Sequence, residues 1–308
     1  MSSKTSETTE GGLAATQATH APAAAAEDER ARASLAGLPH AFISAEGAGV
    51  PLNLGDLWGY RELLYFLTWR DIKVRYKQTL MGVAWVVVQP LLLMLVFTLV
   101  FNRFVRSGEG AIPYPLFAYS GLLLWTFFSV SVSSGMNSLI GNTSLVTKVY
   151  FPRVFIPAAA VGAGLVDLSV GAVLLVPLAA YYGVGVTPKL LLVPAFVGLA
   201  ALLALSAGMV TSALTVRYRD LRHALPFLLQ LWMFASPVIY PVGVVPPSWR
   251  WALAANPMTG VLEGFRASLT GTAFDWGLVA VPLVAAPVLV AVAFYVFRSL
   301  EDTFADII

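Results

Sequence analysis

GVAWVVVQPLLLMLVFTLVF, residues 82–101, is a run of twenty residues without a charged side chain. A helix needs roughly 20 apolar residues to cross a hydrocarbon core about 30 Å thick. Pro90 does not argue against such a helix, because proline is frequent in membrane helices. The run therefore predicts a transmembrane helix.

Five further apolar stretches follow this run. They predict spans at residues 116–139, 154–182, 190–216, 224–240 and 278–297. The stretch at 224–240 is the shortest, and residues 246–272 after it are broken by proline and glycine. We expect that broken region to form short helices that dip into the outer interface without crossing. The predicted fold is an all-α membrane protein of six transmembrane helices, with short re-entrant or gate helices between spans five and six.

The overall composition agrees with a membrane protein. Of 308 residues, 58% are hydrophobic and 12% are charged, against roughly 45–50% and about 25% in soluble domains. The net charge of +2 does not suggest a nucleic-acid partner. The absence of cysteine excludes disulfides, thiolate metal sites and a cysteine nucleophile.

The first fifty residues differ from the rest of the chain. They are rich in alanine, threonine, serine, glutamate and glycine, and no apolar core of a signal peptide follows a basic start. We predict a disordered tail over residues 1–50 and a membrane domain over residues 51–308.

Lysine and arginine are unevenly distributed between the two sides of the predicted spans. Cytoplasmic loops carry an excess of these residues. One side holds eleven of them, namely Arg61, Arg70, Lys73, Arg75, Lys77, Lys148, Arg153, Arg217, Arg219, Arg222 and Arg298. The other side holds five, namely Arg103, Arg106, Lys189, Arg250 and Arg266. Both termini are therefore predicted to be cytoplasmic, in agreement with an even number of spans.

Residues 57–77 form an amphipathic pattern when projected at about 100° per residue. Apolar and aromatic side chains fill two adjoining arcs, and Glu62, Arg70, Lys73 and Lys77 gather on a narrow polar face. Such a helix is suited to the headgroup region of a bilayer. It is predicted to be an interface helix, either a lipid anchor alone or also a contact for a cytoplasmic partner.

Side chains for reaction chemistry are scarce. His20 and His40 lie in the tail and His223 at a predicted span end, so an intramembrane serine protease of the rhomboid kind is excluded. The sequence has no G-x-x-x-x-G-K-[ST] loop for the phosphates of ATP. We predict no catalytic, cofactor-binding or metal-binding residues in this chain.

Asp167 is an acid in the middle of a predicted span. An intramembrane carboxylate is a functional candidate by default. Proton coupling normally uses several such groups, which argues against an ion-driven transporter. We favour a structural role in which serine, threonine or backbone donors of a neighbouring helix satisfy Asp167.

Four blocks in order resemble the permeases of type-2 ABC exporters that move O-antigen, teichoic acid and related glycans. They are RDIKVRYKQ (70–78) with LMG (80–82), Trp85 and Gln89-Pro90; KVYFPR (148–153) with Ile156-Pro157; RYRDLRH (217–223) with SPVIYP (236–241); and NPMT (256–259) with Glu263-Gly264-Phe265-Arg266. The resemblance covers residues 57–308, and Asp167 sits where this family often has an acid.

The resemblance implies a homodimer in the bacterial cytoplasmic membrane, docked on separate subunits that bind ATP and Mg²⁺. It implies an interface helix that includes Arg70, Asp71, Arg75 and Tyr76. It also implies a gate at residues 246–266 and ATPase-coupling positions at Lys148, Tyr150, Phe151, Pro152, Arg153, Arg217, Arg219, Asp220 and Arg222. For the first loop we predict that Tyr150 and Phe151 offer an apolar wedge to the ATPase, with Lys148 and Arg153 at its rim.

The resemblance implies a lipid-linked polysaccharide as the substrate, and a glycan channel would use aromatic rings, whose faces stack on sugar surfaces. The candidate path residues are Trp125, Phe127, Phe128, Trp232, Phe234, Tyr240, Trp249 and Trp251. An interfacial aromatic belt or simple packing is the alternative for each ring. The alternative functions are a type-2 ABC exporter of a drug or small lipid, and a membrane scaffold that transports nothing.

Overall fold

The computed structural model describes residues 59–77, 82–105, 112–149, 151–301 and 304. Within these ranges the chain is helical and has no β-strand, which confirms the predicted all-α class. The tail at residues 1–50 lies outside the described residues, so the tail and the domain boundary after it stay predictions.

Short connections join the described helices along the chain. They are α1 (Arg61–Tyr76), α2 (Ala84–Val105), α3 (Tyr114–Gly141), α4 (Thr143–Lys148), α5 (Phe155–Ala172), α6 (Leu175–Tyr181), α7 (Val193–Arg217), α8 (Leu221–Ala235), α9 (Arg250–Ala255), α10 (Pro257–Thr270) and α11 (Trp276–Glu301). Short 3₁₀ turns occur at Pro188–Leu192, Val242–Val244 and Pro247–Trp249.

Five segments of the described residues are long and apolar enough to cross a membrane. They are Ala84–Phe101, Tyr114–Gly141, Phe155–Tyr181, Pro188–Arg217 and Trp276–Glu301. These segments coincide with the first four predicted spans and the last one.

The third predicted span, residues 154–182, is two helices rather than one. α5 ends at Ala172 and α6 begins at Leu175. The backbone N–H groups of Val173 and Leu174 bond three residues back, to Val170 and Gly171, so the chain tightens into a 3₁₀ turn at the join. Pro177 has no N–H to donate to Val173, which explains the interruption here.

The predicted fifth span, residues 224–240, also differs from the observed helix. α8 ends at Ala235, and Ser236 has an extended backbone with φ −111° and ψ 149°. Proline disfavours the helical conformation of the residue before it, and Pro237 follows Ser236. The helix therefore stops five residues earlier than predicted.

α3 is the central helix of the fold. In the candidate span of α3, 78% of the residues are buried within this chain, against 11% in the candidate span of α2. α3 packs against α7 most closely where Gly135 faces Gly208, since a Cβ on Gly135 would lie 3.1 Å from the Cα of Gly208. Small residues allow helix backbones to approach in this way. α2, α5 and α10 also contact α3.

α1 lies against α5 and leaves an aromatic surface uncovered. Leu67 is buried, and the Tyr60 ring lies 6.3 Å from the Phe155 ring. Tyr65, Phe66 and Trp69 are exposed, and the Lys73 ammonium sits 5.3 Å from the Trp69 ring. Exposed rings beside basic groups suit an interface helix, although the prediction of a membrane interface here is not tested by the fold.

Residues 246–272 form short helices, and the prediction that they are re-entrant or gate helices stays a prediction. The 3₁₀ turn at Pro247–Trp249 leads into α9 and α10. α10 ends at Gly271, whose φ of 75° is left-handed and favours glycine. The Lys189 ammonium donates to the carbonyls of Gly271 and Thr272 at 3.0 and 2.6 Å, which fixes this end of α10 to the chain before α7.

Candidate functional site

A buried segment without helical structure follows α8. Ser236, Val238 and Ile239 are at most 4% exposed, and this segment lies between α3 and α10. Irregular backbone at membrane depth is tolerated only where protein buries it and satisfies its polar groups. The backbone polar groups of this segment therefore need hydrogen-bond partners from the surrounding side chains.

Arg266 of α10 supplies two of them. Its guanidinium donates to the carbonyl of Pro237 at 2.7 Å and to the carbonyl of Val238 at 2.6 Å. It also donates to the Glu263 carboxylate at 2.9 Å and lies 3.6 Å from the centroid of the Phe117 ring. Arg266 is only 2% exposed. One buried cation thus joins the segment after α8 to α10 and α3.

Tyr114 and Asn256 complete the attachment of this segment. The Tyr114 hydroxyl donates to the Ile239 carbonyl at 3.0 Å. The Asn256 amide donates to the Ser236 hydroxyl at 2.8 Å, and its oxygen accepts from the Trp232 indole at 3.2 Å and from the Met258 backbone at 3.1 Å. We call residues 236–239 with Arg266, Tyr114 and Asn256 the pinned break. In the sequence, Asn256 and residues 236–239 were named only within motifs, Arg266 was counted among the basic residues of one side, and Tyr114 was not singled out; the signal for their role was an arginine within an apolar, proline-broken stretch.

Three of the predicted glycan-path rings form one packed cluster. Trp232 makes edge-to-face contacts with Trp125 and Phe128, at 6.1 and 5.1 Å between ring centroids. Trp125, Phe127 and Phe128 are at most 4% exposed. Their faces contact this chain's own core, and their place on a glycan path stays a prediction.

The other predicted path rings lie at the surface. Phe234, Trp249 and Trp251 are 49%, 64% and 70% exposed. Tyr240 is half-buried, and its hydroxyl donates to the Phe234 carbonyl at 3.0 Å. These four rings stay candidates for contact with a substrate, because their faces are accessible beside the pinned break and on the short helices that follow it.

Asp167 has partners on the interface helix. Arg75 forms an ion pair with the Asp167 carboxylate, and the Tyr76 hydroxyl donates to the same carboxylate. The prediction of serine, threonine or backbone donors is therefore wrong: the donors come from the last turn of α1. Burial raises the pKa of the Tyr76 hydroxyl, and its hydrogen bond to Asp167 raises the pKa further, so Tyr76 remains a donor at neutral pH.

A cavity of about 230 Å³ adjoins this ion pair. It lies between the end of α1 and helices α2, α3 and α5. Its lining is mostly apolar, with polar groups from Arg75, Tyr76, Gln89, Thr126 and Asp167. Sequence reasoning assigned Arg75 and Tyr76 to the interface helix and Asp167 to a span, and the fold brings the three together.

The first predicted coupling loop is anchored in the chain rather than free. Phe151 is 7% exposed and packs with Leu139, Phe155 and Phe297, so it does not project as a wedge. The Arg153 guanidinium donates to the Glu301 carbonyl at 2.5 Å, and Pro152 is half-buried. Tyr150 lies outside the described residues, and Lys148 is exposed.

The second predicted coupling loop presents most of its side chains to the surface. Arg217, Arg219 and Asp220 are exposed and Arg222 is half-buried. The Arg217 guanidinium lies 5.7 Å from the Tyr218 ring. On α1, the Arg70 guanidinium and the Asp71 carboxylate form an ion pair at 2.8 Å. This pair joins two neighbours on α1 and does not link α1 to a coupling loop.

Comparison with known proteins gives a consistent result. The sequence pattern of the ABC-2 type transporter family matches residues 62–270. The chain is 34% identical to the O-antigen export system permease protein RfbA of Myxococcus xanthus over 215 residues, which cover 69% of this chain and 82% of that protein. It is 28% identical to a Klebsiella pneumoniae protein of the same name over 261 residues, 83% of this chain and 97% of the relative.

A third relative is named for the transport of a different glycan. The polysialic acid transport protein KpsM of Escherichia coli is 23% identical over 198 residues, 63% of this chain and 76% of that protein. The family match spans more than half of the chain, so this protein belongs to the ABC-2 type transporter family. It is a multi-pass inner-membrane protein and the permease subunit of such a transporter, which confirms the family that its motifs resemble.

Proposed function

We propose that this permease exports a lipid-linked polysaccharide across the cytoplasmic membrane as a homodimer with a separate ATPase. The observation that carries the proposal is the similarity to an O-antigen export permease along 97% of that relative's length. The similarity to a polysialic acid transport protein points to the same class of substrate.

The proposed topology has six crossings and cytoplasmic termini. α8 has 15 residues, which at 1.5 Å per residue reach about 22 Å, less than the roughly 30 Å of a hydrocarbon core. Residues 236–240 continue from it in turns and bends. In this topology the fifth crossing is completed by the pinned break, whose backbone groups Arg266 and Tyr114 satisfy, and the short helices α9 and α10 then act as gate elements on the outer side.

Single-cysteine labelling tests this topology without a background, since the native chain has no cysteine. Cysteines at Val186, the exposed neighbour of Thr187, and at Ser248 are expected to react with a membrane-impermeant maleimide in intact cells. Cysteines at Thr143 and His223 are expected to react only after the membrane is opened. His223 and Ser248 labelling from the same side would show that α8 does not cross.

The ATPase contact is proposed at the exposed parts of the two cytoplasmic loops. Arg217, Arg219 and Asp220 of the second loop offer charges of both signs, and Lys148 of the first loop adds a cation. The buried ring of Phe151 holds the first loop on the ends of the spans. Movement of an ATPase against these loops is thereby transmitted to the helices, since a rigid element carries the displacement.

The homodimer is proposed to form along α8. Phe227, Leu228, Leu231 and Phe234 are 49% to 62% exposed on this helix. Their spacing of three and four residues places them on one stripe. A second copy of the chain would cover this stripe, and the two α8 helices would then border a shared path.

Deletion of the gene for this chain in its own host tests the proposed function. We expect surface polysaccharide to fall to background and the lipid-linked glycan to accumulate inside the cell, because the permease provides the route across the membrane. The measurement is immunoblotting of intact cells beside extraction of lipid-linked glycan, with plasmid-borne wild-type chain as the rescue control. Unchanged surface polysaccharide with increased sensitivity to drugs would instead support a small-molecule exporter.

A further inference from the structure

The first predicted coupling loop is joined to the end of the last span by a hydrogen bond. The Arg153 guanidinium donates to the backbone carbonyl of Glu301 at 2.5 Å, and Glu301 is the last residue of α11. The last four carbonyls of a helix have no partner within that helix, and a basic side chain at this end also complements the helix dipole. Arg153 therefore caps α11 from a position 148 residues earlier in the chain.

Aromatic packing makes a second connection at the same place. Phe151 of the loop and Phe297 of α11 belong to one buried cluster. The Phe304 ring lies 5.3 Å from the Phe297 ring in an edge-to-face arrangement, and Phe304 is 1% exposed. Rings in this arrangement attract each other beyond the effect of the area that they bury. We call the Arg153–Glu301 bond together with Phe304 the α11 clasp.

The buried cluster behind the α11 clasp joins only some of the helices. Its members come from the loop and from α1, α3, α4, α5, α7 and α11, with Leu67, Leu139 and Ala213 among them. Within the part of the chain that the structure describes, α2 and α8 contribute no residue to this cluster. α8 instead packs in the other cluster, through Leu225 and Leu229. The cluster therefore fixes the loop to α11 and its neighbours but not to α2 or α8.

We propose that the α11 clasp passes ATPase-driven movement of the first loop to the last span, with Arg153 and Phe304 as positioning residues. The inference rests on the proposed function, in which a separate ATPase moves the two loops. A loop that is attached only at its two ends bends when it is displaced. This loop is also fastened to a helix that is distant in the chain, so its displacement moves α11 as well. The resulting motion shifts α11 and its neighbours relative to α2 and α8.

The isolated full-length chain tests the α11 clasp without an ATPase or a substrate. The native chain has no cysteine, so a nitroxide label at Lys148→Cys, an exposed position at the end of α4, reports the mobility of the loop by electron paramagnetic resonance in nanodiscs. Phe304→Ala and Arg153→Gln are each expected to shorten the rotational correlation time of this label at least twofold. Phe304→Leu is expected to shorten it less, because leucine keeps apolar volume in the cluster. Tyr295→Ala is the matched control, since Tyr295 lies on α11 but is 75% exposed, and its label is expected to behave like the wild type.

A second label distinguishes the clasp from a general loosening of the fold. A nitroxide at Asp220→Cys, an exposed position in the second loop, is expected to keep its wild-type mobility in the Phe304→Ala chain. Wild-type mobility of the Lys148 label in that chain would overturn the proposal. An equal gain in mobility at both labels would overturn it too, because Phe304 would then only stabilise the bundle.

Transmission to α11 is measured in the complex of the chain with its copurified ATPase. A label at Tyr295→Cys is expected to change its spectrum when ATP is added. In Phe304→Ala this change is expected to be at least fivefold smaller, while the ATPase copurifies in wild-type amount, because the ATPase still docks but its movement no longer reaches α11. An undiminished ATP-dependent change, or loss of the ATPase from the complex, would overturn the assigned role. A normal ATP-dependent change in a wild-type complex that exports no polysaccharide would instead contradict the proposed function and leave the clasp standing.

Discussion

Arg266→Ala is expected to abolish export and to reduce strongly the amount of folded protein. The change leaves the carbonyls of Pro237 and Val238 without their donor and Glu263 without its partner. The Glu263 carboxylate left behind is 29% exposed, so water offsets part of the loss and the cost falls below the roughly 3–5 kcal/mol of a fully buried ion pair. An unsatisfied buried carbonyl adds about 1–3 kcal/mol. Fluorescence-detected size exclusion and thermal unfolding of the purified chain measure the effect, beside surface polysaccharide in cells.

Arg250 provides a matched control for that variant. Its guanidinium also donates to two backbone carbonyls, those of Val245 and Gly243 at 3.1 and 3.4 Å, but from an exposed position. Water can replace these bonds, so Arg250→Ala is expected to change stability by less than about 1 kcal/mol. Arg266→Lys should lie between the two, because one ammonium cannot reproduce the fork. Wild-type stability and export by Arg266→Ala would show that the pinned break holds without its arginine.

Gly135→Leu is expected to prevent formation of the folded bundle. A Cβ at this position would lie 3.1 Å from the Cα of Gly208, and backbone cannot rotate away as a side chain can. The rest of the leucine would force α3 and α7 apart along the most extensive helix contact of the fold. Overpacking of a well-packed core typically costs about 1–3 kcal/mol, and a whole side chain at a backbone crossing exceeds that range. The measurement is the monodisperse yield after detergent extraction.

Gly198→Leu is the control on the same helix as Gly208. A Cβ on Gly198 meets no other atom within 4 Å, and the residue is exposed, so its yield should equal the wild type. Gly208→Ala should also be tolerated, since its Cβ would lie 3.6 Å from the Cα of Gly135, an ordinary contact. Normal yield of Gly135→Leu would mean that α3 and α7 do not cross at this point.

Much of the fold could be predicted from the sequence, because a helix must have a minimum number of apolar residues to cross the hydrocarbon core of a bilayer. Residues 82–101 had to be helical, since unpaired backbone groups are too costly in hydrocarbon, and the observed α2 begins at Ala84. Helix ends were less accessible. Pro237 was visible in the sequence, but the sequence did not show whether it would kink the fifth span or end it. That outcome depended on Arg266, 29 residues later, which donates to the Pro237 carbonyl.

The candidate site was accessible only in parts. Asp167 stood out as an acid within a span, and its charge required a partner, yet Arg75 is 92 residues away in the chain and was read with the interface helix. Phe151 was expected to face an ATPase because its loop is basic and short. Instead, Phe297 and Phe155 bury it. Neighbours from distant segments decide burial, and hydropathy along one loop does not reveal them.

The burial of α3 has a consequence for the order of synthesis. α3 is the least apolar of the five candidate spans and the most enclosed, yet it leaves the ribosome early. The Tyr119 hydroxyl bonds to the Gly171 carbonyl, 52 residues later, and the Tyr114 hydroxyl to the Ile239 carbonyl, 125 residues later. At roughly 5–20 residues per second, the second partner emerges about 6 to 25 s after Tyr114. Tyr114 lacks its partner throughout that interval, so synthesis up to residue 239, rather than insertion of α3 itself, sets the earliest time at which this permease becomes a closed bundle.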